Sequence, residues 1–128
     1  MAQILVIDDD PAMRETLCRV LCREGHSAVG ATNGRVGLER QKEQPADLVI
    51  TDILMPEQEG METIMKLRRD YPDVRIIAIS GGGRLAFFDF LKYARQFGAD
   101  YALAKPFTPS ELLKTVQQAL LDEQPAHG

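Results

Sequence analysis

Five short apolar runs alternate strictly with five segments of helical spacing along almost the whole chain. Runs of four to six apolar, largely β-branched residues, bounded by breakers, read as strands buried on both faces. Strict alternation of such strands with helices predicts an α/β chain: a doubly wound, five-stranded parallel sheet with right-handed crossovers. All strands of that sheet end on one edge, and open α/β folds build their sites there. The residues that terminate the five runs are therefore the ones to examine.

The first run, Ile4-Leu5-Val6-Ile7, ends in Asp8-Asp9-Asp10-Pro11. Asp10 before Pro11 reads as a helix N-cap with proline at the first helical position. Capping explains Asp10 and leaves Asp8 and Asp9 unexplained. The helix that follows carries Met13, Leu17, Val20 and Leu21 on one face and ends at Gly25. A weak strand of small residues at 27–31 comes next, and Asn33-Gly34 opens a thinly apolar helix at 35–44. Leu48-Val49-Ile50-Thr51 then runs into Asp52, with Met55-Pro56 closing the stretch. A helix over 58–70 is expected to turn Met61, Ile64, Met65 and Leu67 inward, and a fourth strand spans 74–79. Ser80 ends that strand and Gly81-Gly82-Gly83 follows; without a following Gly-Lys-Ser/Thr these glycines are no P-loop. An aromatic helix at 84–97 ends at Gly98, and a fifth strand at 100–104 ends in Lys105-Pro106. Thr108-Pro109-Ser110-Glu111 is a capping box for a last helix to Leu121. The expected domain is 1–122, with 123–128 a frayed tail.

Strand ends one, three, four and five thus present Asp8 with Asp9, Asp52, Ser80 and Lys105. Close carboxylates repel by ~4 kcal/mol per pair at an effective dielectric of ~20. The edge therefore calls for a cation, and oxygen ligands favour Mg²⁺ or another hard divalent ion. A carboxylate beside such an ion, a lysine and a hydroxyl can attack phosphorus and hold the anionic product. Asp52 is the expected working group.

Composition excludes several other classes. A formal charge of −4 argues against non-specific binding to nucleic acid. No apolar run approaches the ~18 residues of a membrane span, and no signal peptide is expected ahead of Gln3. Cys18 and Cys22 share one helix without enough neighbouring ligands for a metal, so free thiols in a reducing cytoplasm are expected.

From Gln3 to about Leu121 the sequence resembles a response-regulator receiver domain of two-component signalling, of the single-domain type. The matching pieces are Asp8-Asp9, Asp52 with Met55-Pro56, Glu59-Gly60, Ser80, Gly98-Ala99-Asp100 and Lys105-Pro106-Phe107. The resemblance implies a (βα)5, flavodoxin-like fold with strand order 2-1-3-4-5. It implies a phosphoacceptor role for Asp52, with the phosphoryl group coming from a kinase phosphohistidine. It further implies Mg²⁺ held directly by Asp9, Asp52 and the backbone carbonyl of Leu54, with Asp8 acting through water. Ser80 would bond a phosphoryl oxygen, Lys105 would pair with the phosphate, and the Lys105-Pro106 bond would be cis. The partner so implied is a histidine kinase or phosphotransfer protein; a downstream protein or a second copy of the chain is expected at Leu85, Phe88 and Tyr93.

The sequence also departs from the family. The switch aromatic usually lies three residues before the lysine, and Ala102 stands there. Tyr101 is one place earlier, on the opposite face of a strand. Ser80 to Lys105 is a few residues longer than the family pattern, and neither Leu54 nor Gly82 offers a polar side chain. On the aromatic helix, Phe87, Phe90, Leu91, Ala94 and Phe97 share a face that reads as core, while Leu85, Phe88 and Tyr93 fall off it. Those three, with the glycine loop, are an expected contact surface and switch element. Two other readings stand beside the switch. A Mg²⁺-dependent phosphohydrolase with an aspartate nucleophile would want Asp-x-Asp, which Asp52-Ile53-Leu54 lacks. A non-phosphorylated binding module would not need an intact Asp52, Lys105 and acidic pair.

Overall fold

The computed structural model describes residues 2–53, 59–80 and 87–121. Five strands and five helices alternate in it: β1 (Gln3–Ile7), α1 (Pro11–Arg23), β2 (Ser27–Ala31), α2 (Gly34–Glu43), β3 (Leu48–Asp52), α3 (Glu59–Asp70), β4 (Arg75–Ser80), α4 (Phe87–Phe97), β5 (Tyr101–Ala104) and α5 (Pro109–Leu121). All strand pairs are parallel, in the order β2-β1-β3-β4-β5. This is the expected doubly wound sheet.

The strands are apolar throughout because both faces are covered. Leu5, Ile7, Val49, Ile76 and Ala78 pack on one side with Ile64 and Leu67 of α3 and Ala94 of α4. Ile4, Val6, Leu48, Ile50, Ile77 and Ile79 pack on the other with Leu17 and Leu21 of α1 and Leu112 and Val116 of α5. The central β3 is buried along its whole length, Asp52 included.

Local signals set most helix starts. Asp10 caps α1 by accepting from the Ala12 N–H at 3.0 Å, and Asn33 caps α2 by accepting from Val36 at 2.9 Å. Thr108 and Glu111 exchange reciprocal bonds of 3.1 and 3.2 Å at the head of α5, as a capping box requires. Met65 departs from expectation: it is 49% exposed, whereas Thr63 is buried. The buried stripe of α3 runs through Gly60, Thr63, Ile64 and Leu67, which puts Met65 a full 100° from Ile64 on the solvent side. β4 begins at Arg75 and takes in Ser80, one residue later than its apolar run suggests.

A buried ion pair fastens the edge of the molecule opposite the strand ends that carry the acids. Asp100 is 1% exposed and accepts from Arg68 Nη2 at 2.6 Å and from the Ile76 backbone N–H at 2.9 Å. Arg68 also donates to the carbonyls of Gly98, Pro72 and Val74 at 3.0, 2.8 and 2.8 Å. One guanidinium thereby ties the end of α3, the entry to β4 and the α4–β5 turn. Arg68→Met should destabilise the fold by about 3 kcal/mol or more, because it strips the guanidinium from a buried carboxylate. Urea unfolding measures this, and a loss below about 1 kcal/mol would refute the role.

Candidate functional site

The acidic edge begins where β1 stops. The Asp8 N–H still bonds the Ala31 carbonyl at 3.1 Å, so Asp8 is held by the sheet although it lies past the strand. Its side chain is turned inward, 1% exposed, and Oδ1 accepts from the Asp10 N–H at 2.9 Å. Asp9, the next residue, is exposed. This alternation presents one buried and one open carboxylate to the same edge.

Asp52 closes β3 at 5% exposure. The turn after it is packed tightly by α3: a Cβ on Gly60 would fall 2.5 Å from the Ile53 Cα and 2.8 Å from the Asp52 carbonyl oxygen. Only a residue without a side chain allows α3 to approach the strand end this closely. Lys105 follows β5, and its N–H donates to the Ser80 carbonyl at 2.9 Å, which extends the β4–β5 pairing to the edge. The Lys105-Pro106 peptide bond is cis, as the resemblance implied. Lys105 Nζ donates to Asp52 Oδ2 at 3.0 Å and stands 3.7 Å from Asp8 Oδ2. Ser80 is half-buried and lies one residue past Ile79, the partner of Asp52 in the β3–β4 register.

Asp8, Asp9 and Asp52 each offer a carboxylate oxygen, and these oxygens lie within 4.8 Å of one another. One ammonium cannot balance three carboxylates at that range. Burial pushes the Asp8 carboxyl up from its ordinary range, and the nearby charges of Asp52 and Asp9 add to the rise. The Asp10 N–H and the Lys105 charge oppose it without overcoming it. Burial alone would lower the Lys105 ammonium, but its hydrogen bond to Asp52 and the charges of Asp52 and Asp8 outweigh this and raise it. Among the described residues, Asp8 Oδ2 is the buried side-chain oxygen without a hydrogen bond. An orphaned buried oxygen within a cluster of hard oxygen donors fits a divalent cation.

The structure thus brings Asp8, Asp9, Asp52 and Lys105 together and places Ser80 on the same edge. Leu54 lies outside the described residues, as do Gly81-Gly82-Gly83, Leu85 and the side chain of Phe88. Tyr93 is 47% exposed and meets Phe97 edge-on, with ring centroids 5.1 Å apart. Ala102 packs on the α3–α4 side of the sheet and Tyr101 on the α1–α5 side, so the two do face opposite ways. Cys18 and Cys22 are free thiols. Gly60 entered the sequence reading only within the family match Glu59-Gly60, and it acts through a contact that spacing does not encode. Arg14 escaped that reading. Arg14 donates from Nη1 to the Asp8 carbonyl at 2.8 Å. A cation one turn from a helix N-terminus opposes the helix dipole, and that anomaly was legible in the sequence.

A family model described as the response regulator receiver domain matches residues 4–117. Chemotaxis protein CheY of Thermotoga maritima is 33% identical over 117 residues, covering 91% of this chain and 95% of that protein. The DNA-binding transcriptional regulator NtrC of Azospirillum brasilense is 36% identical over 124 residues, 97% of this chain but only 25% of that protein. The chain thus spans nearly all of one relative and a quarter of the other. A crystal structure of a response regulator receiver domain protein from Clostridium thermocellum superposes with a TM-score of 0.83 at 30% identity, covering 94% of each chain. With the parallel sheet in the order 2-1-3-4-5 and the acidic edge facing Lys105, these matches show that the chain belongs to the receiver-domain family of two-component response regulators.

Proposed function

We propose that Asp52 is the phosphoacceptor of this receiver domain, taking a phosphoryl group from a phosphohistidine on a histidine kinase or phosphotransfer protein. The observation that carries this reading is the Lys105 Nζ contact at 3.0 Å to a carboxylate buried within the acidic cluster. An Asp52 carboxylate oxygen attacks phosphorus while the bond from phosphorus to the imidazole nitrogen breaks. The imidazole keeps the electron pair and takes up a proton, and Asp52 becomes a mixed anhydride. Hydrolysis of that anhydride returns the carboxylate and releases phosphate.

Asp9, Asp52 and the Leu54 carbonyl would hold Mg²⁺ directly, and Asp8 Oδ2 would accept from a water on it. When bound, the ion would supply charge neutralisation for the carboxylates and for the phosphoryl oxygens. Lys105 is positioned to transfer its contact from Asp52 to a phosphoryl oxygen, and Ser80 offers a hydroxyl donor one strand away. Ala102 lacks the bulk of the family's switch aromatic, so coupling to the surface would run through the segment after Ser80 and α4. Among the described residues, Tyr93 is an exposed aromatic of α4 and would meet a downstream partner or a second copy.

Acetyl phosphate or phosphoramidate with Mg²⁺ should add one phosphoryl group, and Asp52→Asn should abolish the addition, because an amide is neither nucleophile nor anionic ligand. Intact-mass measurement decides it, and undiminished labelling of the variant would sink the assignment.

The raised Asp8 carboxyl yields a stability prediction. The fold binds the Asp8 proton more tightly than the unfolded chain does, so ionising Asp8 costs stability as pH rises through and above the ordinary carboxylate range, about pH 4. Asp8→Asn should therefore melt higher than wild type at pH 7 without Mg²⁺. That gain should vanish below about pH 4, where Asp8 is protonated in both states. Equal melting temperatures at pH 7 would contradict the conflict of charge at this edge.

A further inference from the structure

We infer that Arg14, on the first turn of α1, is a positioning residue for the metal site: it locks the peptide plane joining Asp8 to Asp9. The inference rests on the Mg²⁺ reading above. The Asp8 carbonyl that accepts from Arg14 Nη1 at 2.8 Å belongs to the same rigid peptide unit as the Asp9 N–H. Fixing that oxygen fixes the Asp9 N–Cα bond, the axis about which the Asp9 side chain swings, and so narrows where its carboxylate can reach. Asp8 itself is held independently, by its N–H on Ala31 and by its Oδ1 under the Asp10 N–H. Asp9 is exposed, and the backbone on its N-terminal side is braced by the guanidinium.

Arg14 is in turn held by the sheet. Its stem crosses β2 over Gly30, where a Cβ would fall 2.8 Å from Arg14 Cδ and 3.0 Å from Cγ. Those carbons are mid-chain, so a methyl group at position 30 cannot be accommodated without moving the guanidinium behind them. The head of α1 adds a second tether, the Arg14 N–H on the Asp10 carbonyl at 2.9 Å. A guanidinium suits the task, since its fixed planar donors hold a direction where an ammonium supplies only charge.

Charge and positioning predict opposite signs. Arg14 is a cation near a cation site, so its removal on electrostatic grounds alone would tighten Mg²⁺ binding. Loss of the lock would weaken it, and groups that orient metal ligands typically contribute about tenfold or more in affinity. The experiment is a Mg²⁺ titration of the whole chain, followed by backbone amide shifts so that only folded protein is read. Arg14→Ala should bind Mg²⁺ about tenfold more weakly, and Arg14→Lys, which keeps the charge, should also weaken it. Gly30→Ala should weaken binding in the wild-type background and add nothing to Arg14→Ala, a double-mutant cycle that ties the two residues together. Tighter binding in Arg14→Ala with unchanged binding in Arg14→Lys would overturn the inference in favour of charge alone. Unchanged affinity in both, with only a lower melting temperature, would overturn it in favour of a structural brace. A wild-type chain with no response to Mg²⁺ would overturn the metal reading, and this inference with it.

Discussion

Among the described residues, the carboxyl edge of the sheet crowds three carboxylates around the ammonium of Lys105. Three carboxylates have oxygens within 4.8 Å of one another, and the ammonium of Lys105 meets two of those carboxylates, at 3.0 and 3.7 Å. Much of the surrounding structure serves to hold that conflict in place. β1 and β3 run side by side and deliver two of the acids by register alone. The Lys105 N–H on the Ser80 carbonyl brings the lysine to the same edge from two strands away. Close carboxylates beside a single ammonium suit the cation and the phosphoryl group proposed for this edge.

Comparison of two buried acids in this chain sharpens the point. Asp100 and Asp8 are equally inaccessible, each 1% exposed. Asp100 is met by a guanidinium at 2.6 Å and a backbone N–H, and its Arg68 partner donates to three carbonyls as well. Asp8 has one oxygen with no hydrogen bond and its lysine beyond hydrogen-bonding distance. The first is a brace, costly to break from either side. The second has hydrogen-bonding capacity left over, which suits the metal role proposed for it. The two acids are equally buried, and the state of their hydrogen bonds is what differs.

Strand runs, helix caps and the residues ending each strand were legible in the sequence because each is a local property. Asp10 before Pro11, and Thr108 three residues before Glu111, specify their caps within one turn of chain. The convergence of Asp8, Asp9, Asp52 and Lys105 was legible for a different reason: a parallel sheet sends all strand ends to one edge. What stayed hidden depends on contacts between distant segments. Met65 reads as apolar and helical, yet the packing of Gly60 on the Asp52–Ile53 backbone, with Ile64 and Leu67 on the sheet, turns it to the solvent side of α3. Arg68 has no sequence signal that it will reach Asp100, and the Arg14 contact to Asp8 needs the stem to lie across Gly30.

If this edge works as proposed, it directs phosphoryl transfer to Asp52 and to neither of the acids beside it. Chemical trapping tests that directly. The chain is phosphorylated with a small phosphodonor and Mg²⁺, reduced with borohydride, digested, and sequenced by mass spectrometry; an acyl phosphate is converted to an alcohol, leaving homoserine where the aspartate stood. The expected result is homoserine at position 52, with Asp8 and Asp9 intact. Homoserine at position 8 or 9, or a phosphate found on a serine or threonine, would contradict it.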